Sequence, residues 1–143
     1  MEIGATKAVQ DRLKTTKIEE SKGASLVFCW DTHLTKIKGR NVLFIVNASN
    51  RYTIAMTDIE PRNWNYYTMY ISRVIYGVMQ EMEYSEEQIG QYFKMSGDTT
   101  VTKTHGRKSV GGINRMVMDA QYFGKKLEKE AKYQWELSEY LNR

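Results

Sequence analysis

The sequence has only one cysteine and one proline, and it has no apolar run long enough to cross a membrane. A lone cysteine, Cys29, excludes an internal disulfide framework and a zinc site built from several cysteines. A membrane span needs about 18 apolar residues, and residues 1–4 lack the apolar core of a signal peptide. Glu2 stands where N-terminal acylation would require glycine. These absences predict a soluble cytoplasmic protein with no membrane partner.

Histidine is also scarce, with only His33 and His105, and a catalytic base needs a nucleophile or an orienting carboxylate beside it. Cys29, Asp31 and His33 alternate along a predicted strand and so share one face. Residues two apart on a strand are about 6.5–7 Å apart, which is too far for a direct hydrogen bond. Cys29 lies in an apolar run and is interpreted as a small buried hydrophobe. Because no catalytic or metal motif is found, we predict neither an enzyme nor a cofactor.

Length and composition favour one globular domain. The chain has 143 residues, of which 41% are hydrophobic and 27% charged. No repeat or linker divides it, so residues 1–143 are predicted to form a single α+β domain. The net charge of +4 is concentrated in residues 101–143, which hold nine Lys/Arg and five Asp/Glu. Such an excess either attracts a polyanion or an acidic protein surface, or covers a solvated helix face.

The first half of the chain has the pattern of a small sheet. Three apolar or β-branched runs at residues 26–37, 42–46 and 51–56 are separated by turn signals at residues 38–41 and 47–50. Because short turns join antiparallel neighbours, these runs predict an antiparallel meander, with the middle strand buried on both faces. Two further short strands are predicted at residues 1–4 and 99–104.

Apolar residues at spacings of three and four predict the helices. Short helices are expected over residues 7–14 and 86–94, and a long helix over residues 62–83. Ser109 is predicted to cap a second long helix that continues to about Leu141. The predicted fold class is therefore α+β, with an antiparallel meander sheet covered on one side by the two long helices, plus the short helices.

Several segments of the chain occur in an order that resembles a known family. They are Thr6-Lys7, Trp30, residues 40–44, Asn47, Arg51 and residues 102–114. The most specific of these is residues 103–114, which includes Arg107, Gly111 and Asn114. Up to about Phe123 the chain is similar to a family of short bacterial and phage proteins known as a domain of unknown function, number 6933. The resemblance implies a bacterial or phage setting, and hence a host bacterial cytoplasm, but no activity and no role for any residue.

The segment that joins the last strand to the last long helix is the best candidate for a binding site. Free N–H groups at a helix start, two glycines and nearby cations together suit an anion. The candidate residues are Lys103, Arg107, Lys108, Ser109, Asn114 and Arg115. The segment is not a phosphate-binding P-loop, because the closing Gly-Lys-Ser/Thr is missing. An equally supported interpretation is a tight turn in which Gly111 and Gly112 let the helix pack closely on the sheet.

A second candidate surface lies on the helix over residues 62–83. If Trp64 and Tyr67 face the core, then Tyr66, Tyr70 and Arg73 lie on another side. Exposed tyrosine and arginine are typical of protein-binding hot spots and of platforms that stack nucleic-acid bases. The alternative is that the tyrosines only edge the core.

These observations predict a non-enzymatic binding protein, encoded by a phage or mobile element, that inhibits a host factor such as a CRISPR-type defence complex by direct binding. The partner would be a host protein or a protein–nucleic-acid complex. The alternative is a nucleic-acid or nucleotide-binding protein that uses the basic loop for a phosphate ligand, and a further alternative is an enzyme of unrecognised type.

The apolar residues Trp135 and Leu137 near the end of the chain must be buried against some surface. If their own domain does not supply that surface, a second subunit would, which predicts a homodimer through the C-terminal helix.

Overall fold

The computed structural model describes residues 1–13 and 17–143. The strands are β1 (Glu2–Ala5), β2 (Cys29–Ile37), β3 (Arg40–Asn47), β4 (Thr53–Thr57) and β5 (Thr100–Thr102). The helices are α1 (Lys7–Gln10), α2 (Pro61–Asn65), α3 (Tyr67–Glu81), α4 (Glu86–Ser96), α5 (Gly106–Gln121) and α6 (Trp135–Leu141). The predicted α+β class is confirmed, although the end of the predicted helix over residues 7–14 lies outside the described residues.

The five strands form one mixed sheet in the order β4-β3-β2-β1-β5. Strands β2, β3 and β4 are antiparallel neighbours, as the meander predicted. However, β1 lies parallel to both β2 and β5, so the prediction of a purely antiparallel sheet was wrong. The parallel pairs join segments that are far apart in the chain, and no local turn signal could predict them.

Helices cover both faces of the sheet. Leu43 and Ile45 of β3 pack in a core with the α3 side chains Ile71 and Ile75. The alternate β3 residues Val42, Phe44 and Val46 pack in a second core with Ile113, Met116 and Ala120 of α5. The prediction that both long helices lie on one side was therefore wrong. The prediction that this strand is buried on both faces was confirmed, and a strand buried on both faces requires a cover on each.

The predicted helix from Ser109 to Leu141 is two helices, because α5 ends at Gln121 and α6 begins at Trp135. The loop between α5 and α6, together with α6 itself, lies along the outer edge of β4. There it accepts hydrogen bonds from the backbone N–H groups of that strand. Thr57 N–H donates to the Lys132 carbonyl at 2.7 Å, and Ala55 N–H donates to Ser138 Oγ at 3.0 Å. These bonds occupy backbone groups of an edge strand, which would otherwise be free to pair with a strand of another chain.

The apolar residues of the C-terminal segment are partly buried within their own chain, since Leu137 lies in the second core. Trp135, the first residue of α6, is 47% exposed. The homodimer through the C-terminal helix stays a prediction, and light scattering that gives the monomer mass of 16.7 kDa at all concentrations would contradict it. Within the described residues, no helix has both the length and the apolar character that crossing a membrane requires.

Candidate functional site

The predicted basic segment lies at the start of α5, where His105 is the residue before the first helical residue, Gly106. Arg107 and Lys108 are exposed in the first turn of the helix. Lys103 pairs with Glu20 at 2.8 Å, and both side chains are largely exposed. Of the four predicted cations, Lys103 therefore already has an acidic partner.

Ser109 does not cap the helix, so that prediction was wrong. It lies one turn inside α5, is buried, and donates a hydrogen bond from Oγ to Asp31 Oδ2. Asp31 also accepts from the backbone N–H of His105 at 3.3 Å. A helix N-terminus favours a nearby negative charge, and here the carboxylate of Asp31 on β2 supplies it from within the chain.

Asn114 and Arg115 are exposed on α5, farther along the helix. Arg115 lines a shallow groove with Lys108, Arg51 and Asp119, with a volume of about 520 Å³. Arg51, which sequence analysis did not assign to the site, donates from Nη1 to the Ser109 carbonyl at 3.1 Å. The structure thus adds one cation to the basic surface.

The guanidinium of Arg51 lies against Gly112, and a Cβ atom at that position would overlap it. The interpretation that a glycine here permits close approach is thus supported at Gly112, although the approaching group is an arginine and not the sheet. Nothing lies within 4 Å of where a Cβ at Gly111 would be, so only one of the two glycines is constrained by a neighbour.

Beneath the start of α5 lies a buried group of polar side chains, which we call the carboxylate–histidine cluster: Glu2, Cys29, Asp31 and His105. His105 Nδ1 lies 2.6 Å from Asp31 Oδ1, and His105 Nε2 lies 2.8 Å from Glu2 Oε1. The side chains of His105, Glu2 and Asp31 are only 5%, 7% and 0% exposed. Strand register explains the cluster, because Glu2 pairs with Cys29 in the parallel ladder and both point towards α5.

The charge state of His105 follows from its two partners. A carboxylate can only accept, so a ring that bonds to two carboxylates must donate from both nitrogens and carry a positive charge. Consistently, the hydrogen bond to Asp31 outweighs burial and, with the bond to Glu2, raises the pKa of His105. For Glu2, burial opposes ionisation, but hydrogen bonds from Ser21 and His105 outweigh it and the pKa is lowered.

The alternation predicted for Cys29, Asp31 and His33 places them on one face, yet each has a different partner. Asp31 bonds to His105, whereas His33 Nδ1 lies 2.8 Å from Thr6 Oγ1. Burial raises the pKa of the Cys29 thiol to about 11. A thiol with so high a pKa is a poor nucleophile at neutral pH. The geometry thus gives no support to a cysteine nucleophile.

The second predicted surface is partly assembled. Trp64 and Tyr67 face the core, as predicted, and their rings stack with centroids 5.4 Å apart. Tyr66, Tyr70 and Arg73 line a shallow depression of about 350 Å³. Tyr66 and Arg73 are exposed, but Tyr70 is half-buried and its hydroxyl has no hydrogen-bond partner among the described residues.

Sequence analysis missed a cleft on the opposite face of the sheet from the carboxylate–histidine cluster. This aromatic cleft has a volume of about 310 Å³. Its lining comes from the sheet, α3, α4 and the loops beside them: Val27, Trp30, Asn47, Asn50, Tyr52, Ile54, Ile75, Val78, Met79, Met82, Tyr84, Gln88 and Tyr92. None of these side chains is acidic or basic. Because they come from four stretches of the chain, around residues 27–30, 47–54, 75–84 and 88–92, no single stretch of sequence predicts the cleft.

Hydrogen bonds hold one wall of the aromatic cleft. Trp30 Nε1 donates to Tyr92 Oη at 2.9 Å, and that hydroxyl donates to the Val27 carbonyl at 2.7 Å. The mouth carries three exposed apolar side chains, Val27, Met82 and Tyr84. The helix predicted over residues 62–83 would include Met82, but α3 ends at Glu81. The position of Met82 after the end of the helix leaves it at the mouth instead.

Comparison with known proteins identifies the family to which the chain belongs. A family model described as a domain of unknown function (DUF6933) matches residues 2–143. The match continues past Phe123, where the resemblance in the sequence was expected to end. No curated protein and no solved structure matches the chain.

Proposed function

We propose that this chain, which belongs to the DUF6933 family, is a non-enzymatic protein that binds a partner protein by taking an uncharged apolar side chain of that partner into the aromatic cleft. The observation that carries this proposal is a cleft of about 310 Å³ with no charged lining residue and an exposed apolar mouth. Its volume is at the lower end of the roughly 300–1,000 Å³ of ligand sites.

The chemistry of the lining favours an apolar occupant. A charged group would lose its hydration in the cleft without finding an opposite charge, which is costly. An aromatic or large aliphatic side chain would instead gain contacts with Trp30, Tyr52 and Tyr84, and would cover the exposed Val27 and Met82. Anchors of this kind dominate the affinity of protein interfaces.

The resemblance to short bacterial and phage proteins suggests the setting. In this proposal the partner is a factor of the bacterial host, and the chain inhibits it by occupying its surface. A CRISPR-type defence complex is the concrete case. This part of the proposal rests on the family setting and not on the geometry.

The basic groove on α5 favours a second candidate, a nucleic-acid or phosphate binder. Three cations, Arg51, Lys108 and Arg115, line it together with one acidic residue, Asp119. Binding through such a groove would weaken steeply with salt, because phosphate contacts release counterions. Binding through the uncharged aromatic cleft would change little with salt.

Two valines of similar exposure provide a matched test. Val27, at the mouth of the cleft, is 40% exposed, and Val110, on α5, is 37% exposed. A photo-crosslinking residue is placed at each position in the natural host cell, and the protein captured from position 27 is then purified. Its affinity is measured by calorimetry for the unchanged chain, Val27→Asp and Val110→Asp, at low and high salt.

We expect Val27→Asp to weaken binding at least about tenfold, or about 1.4 kcal/mol, and Val110→Asp to change it less than about twofold. Equal affinity of the two variants contradicts the cleft. A steep loss of affinity with salt, together with sensitivity to Arg115→Ala, supports the basic groove instead. Circular dichroism of both variants checks that the fold is retained.

A further inference from the structure

We propose that Glu2, Cys29 and His105 form a binding site for one divalent transition-metal ion, with zinc as the best chemical match. The candidate ligand atoms are Glu2 Oε1, Cys29 Sγ and His105 Nε2, and all lie within 4.8 Å of one another. Carboxylate, thiolate and imidazole are the three ligand types that proteins use for zinc. The site lies on the opposite face of the sheet from the aromatic cleft, so either proposal can fail alone.

Two of the three spacings between the ligand atoms are close to those of a tetrahedral site. Metal–ligand distances of about 2.0–2.3 Å place the ligand atoms of a tetrahedral zinc roughly 3.3–3.6 Å apart. Here His105 Nε2 and Glu2 Oε1 are 2.8 Å apart, and Cys29 Sγ and Glu2 Oε1 are 3.9 Å apart. These two distances need to change by about half an ångström to admit the ion. The third, between His105 Nε2 and Cys29 Sγ, lies within 4.8 Å and shortens by up to about 1.3 Å when both atoms bind one ion.

The other nitrogen of His105 has the partner that a metal-bound histidine usually has. Its Nδ1 lies 2.6 Å from Asp31 Oδ1, and a carboxylate in this position fixes the tautomer that turns Nε2 towards a metal. Asp31 is held in turn by Ser109. Residue 4 is glycine, and any side chain there would overlap the Asp31 carboxylate. Residues of three elements, β1, β2 and α5, therefore orient one imidazole ring towards Glu2 and Cys29.

The charge of the site is the same with and without the ion. Without it, the doubly protonated His105 and the protonated Cys29 lie beside two carboxylates, for a net charge of −1. When an ion with charge +2 binds, the Nε2 proton of His105 and the thiol proton of Cys29 leave, and the net charge is again −1. The ion thus replaces two protons, which avoids placing an additional net charge in the buried cluster.

The cluster is covered by the exposed residues Ser21 and Lys22. Ser21 Oγ and the Lys22 N–H donate to the two carboxylate oxygens of Glu2, at 2.7 and 3.0 Å. Both residues are exposed, so a local opening of this segment would let an ion enter. A water molecule or the Ser21 hydroxyl would complete four-coordination.

The test uses the full chain after chelator treatment and dialysis, with Co²⁺ as a spectroscopic probe and Zn²⁺ for thermal shift and affinity. Because Cys29 is the only cysteine, a thiolate-to-cobalt charge-transfer band reports on this site alone. We expect one ion per chain, that band, a raised Tm with Zn²⁺, and release of about two protons per ion, measured by calorimetry in buffers of different ionisation enthalpy.

Cys29→Ser should abolish the band, and Glu2→Gln should weaken Zn²⁺ binding at least about tenfold. His33→Gln, which changes the other histidine, should leave both unchanged. No band at millimolar Co²⁺ in the unchanged chain overturns the proposal, as does equal Zn²⁺ affinity in Glu2→Gln. The measurements on the unchanged chain decide the question even if a variant fails to fold.

Discussion

Gly4 lies opposite Asp31 in the parallel pairing of β1 with β2, and a Cβ atom at position 4 would overlap Asp31 Oδ1. It would also lie 3.2 Å from His105 Nδ1. The missing side chain at Gly4 is therefore what allows a carboxylate and an imidazole to bond beneath the start of α5. A one-atom addition here tests whether the carboxylate–histidine cluster stabilises the fold.

We expect Gly4→Ala to lower the free energy of unfolding by about 2 kcal/mol or more. The added methyl group would push the Asp31 carboxylate away from its donors His105 and Ser109. Urea denaturation followed by circular dichroism measures the change. Gly90→Ala in α4 is the control, since a Cβ there meets nothing within 4 Å. That substitution should stabilise by up to about 1 kcal/mol, as alanine favours a helix. Equal effects of the two substitutions would mean that Asp31 moves aside at no cost.

The two histidines should titrate on opposite sides of the ordinary histidine pKa of 6.5. Hydrogen bonds to Asp31 and Glu2 raise the pKa of His105, whereas burial lowers the pKa of His33. Nuclear magnetic resonance of the ring protons against pH resolves two curves, and His33→Gln assigns them. A single shared midpoint near pH 6.5 would contradict the charge state that we derive for His105.

The same shifts predict how stability depends on pH. The raised pKa of His105 gives stability that is fully present below pH 6.5 and is lost as pH rises through the folded-state pKa. The lowered pKa of Glu2 gives stability that is present above pH 4.5 and is lost as pH falls through its folded-state pKa. Both contributions are complete between pH 4.5 and 6.5.

We therefore expect the metal-free chain to lose stability as pH rises above 6.5, and His105→Gln to have a flatter dependence in that range. Urea denaturation at several pH values, with chelator present, measures both. The chelator matters, because a bound ion would stabilise the fold at higher pH, where its ligands lose their protons more easily. If the free energy of unfolding of His105→Gln falls with pH as steeply as that of the unchanged chain, the loss of stability belongs to other titratable groups.

Local patterns in the sequence predicted the parts of the fold that depend on local interactions. The three meander strands are present, and so is the helix predicted over residues 86–94, as α4. The helix predicted over residues 62–83 is present as two helices, α2 and α3, divided at Tyr66. The parallel pairing of β1 was missed because its partners are far away in the chain. The break between α5 and α6 was also missed. There, buried Gln134 makes hydrogen bonds to β4 and to its own loop, and these tertiary bonds prevail over a helical pattern.

The candidate sites were harder to predict for a related reason. Arg107 and Lys108 were predicted to stand just before a helix capped by Ser109, but they lie inside the first turn of α5, because that helix begins at Gly106. The partners of Asp31, His105 and Ser109, depend on which strands are neighbours and in what register, so the sequence did not predict them. A helix start rich in cations directs attention to an external anion, although the nearest anion here is internal.

Arg51 is a second residue whose role follows only from the fold. It has a φ of 67°, which is unusual for a residue other than glycine, and its guanidinium donates to the carbonyls of Lys108 and Ser109. These bonds tie the loop after β3 to the first turn of α5. They require Gly112 to have no side chain, while the adjacent Gly111 is free of any such contact.

The adjacent glycines allow a sharp comparison. Gly111→Ala should stabilise the chain by about 0.5–1 kcal/mol, because alanine replaces glycine inside a helix without a clash. Gly112→Ala has the same propensity gain but displaces Arg51, whose lost hydrogen bonds cost about 1–2 kcal/mol. We expect a net change between zero and about 1.5 kcal/mol of destabilisation. In an Arg51→Ala background, Gly112→Ala should stabilise as much as Gly111→Ala does. Urea denaturation of the four chains in this cycle measures the coupling, and its absence would show that Arg51 does not rest on Gly112 in solution.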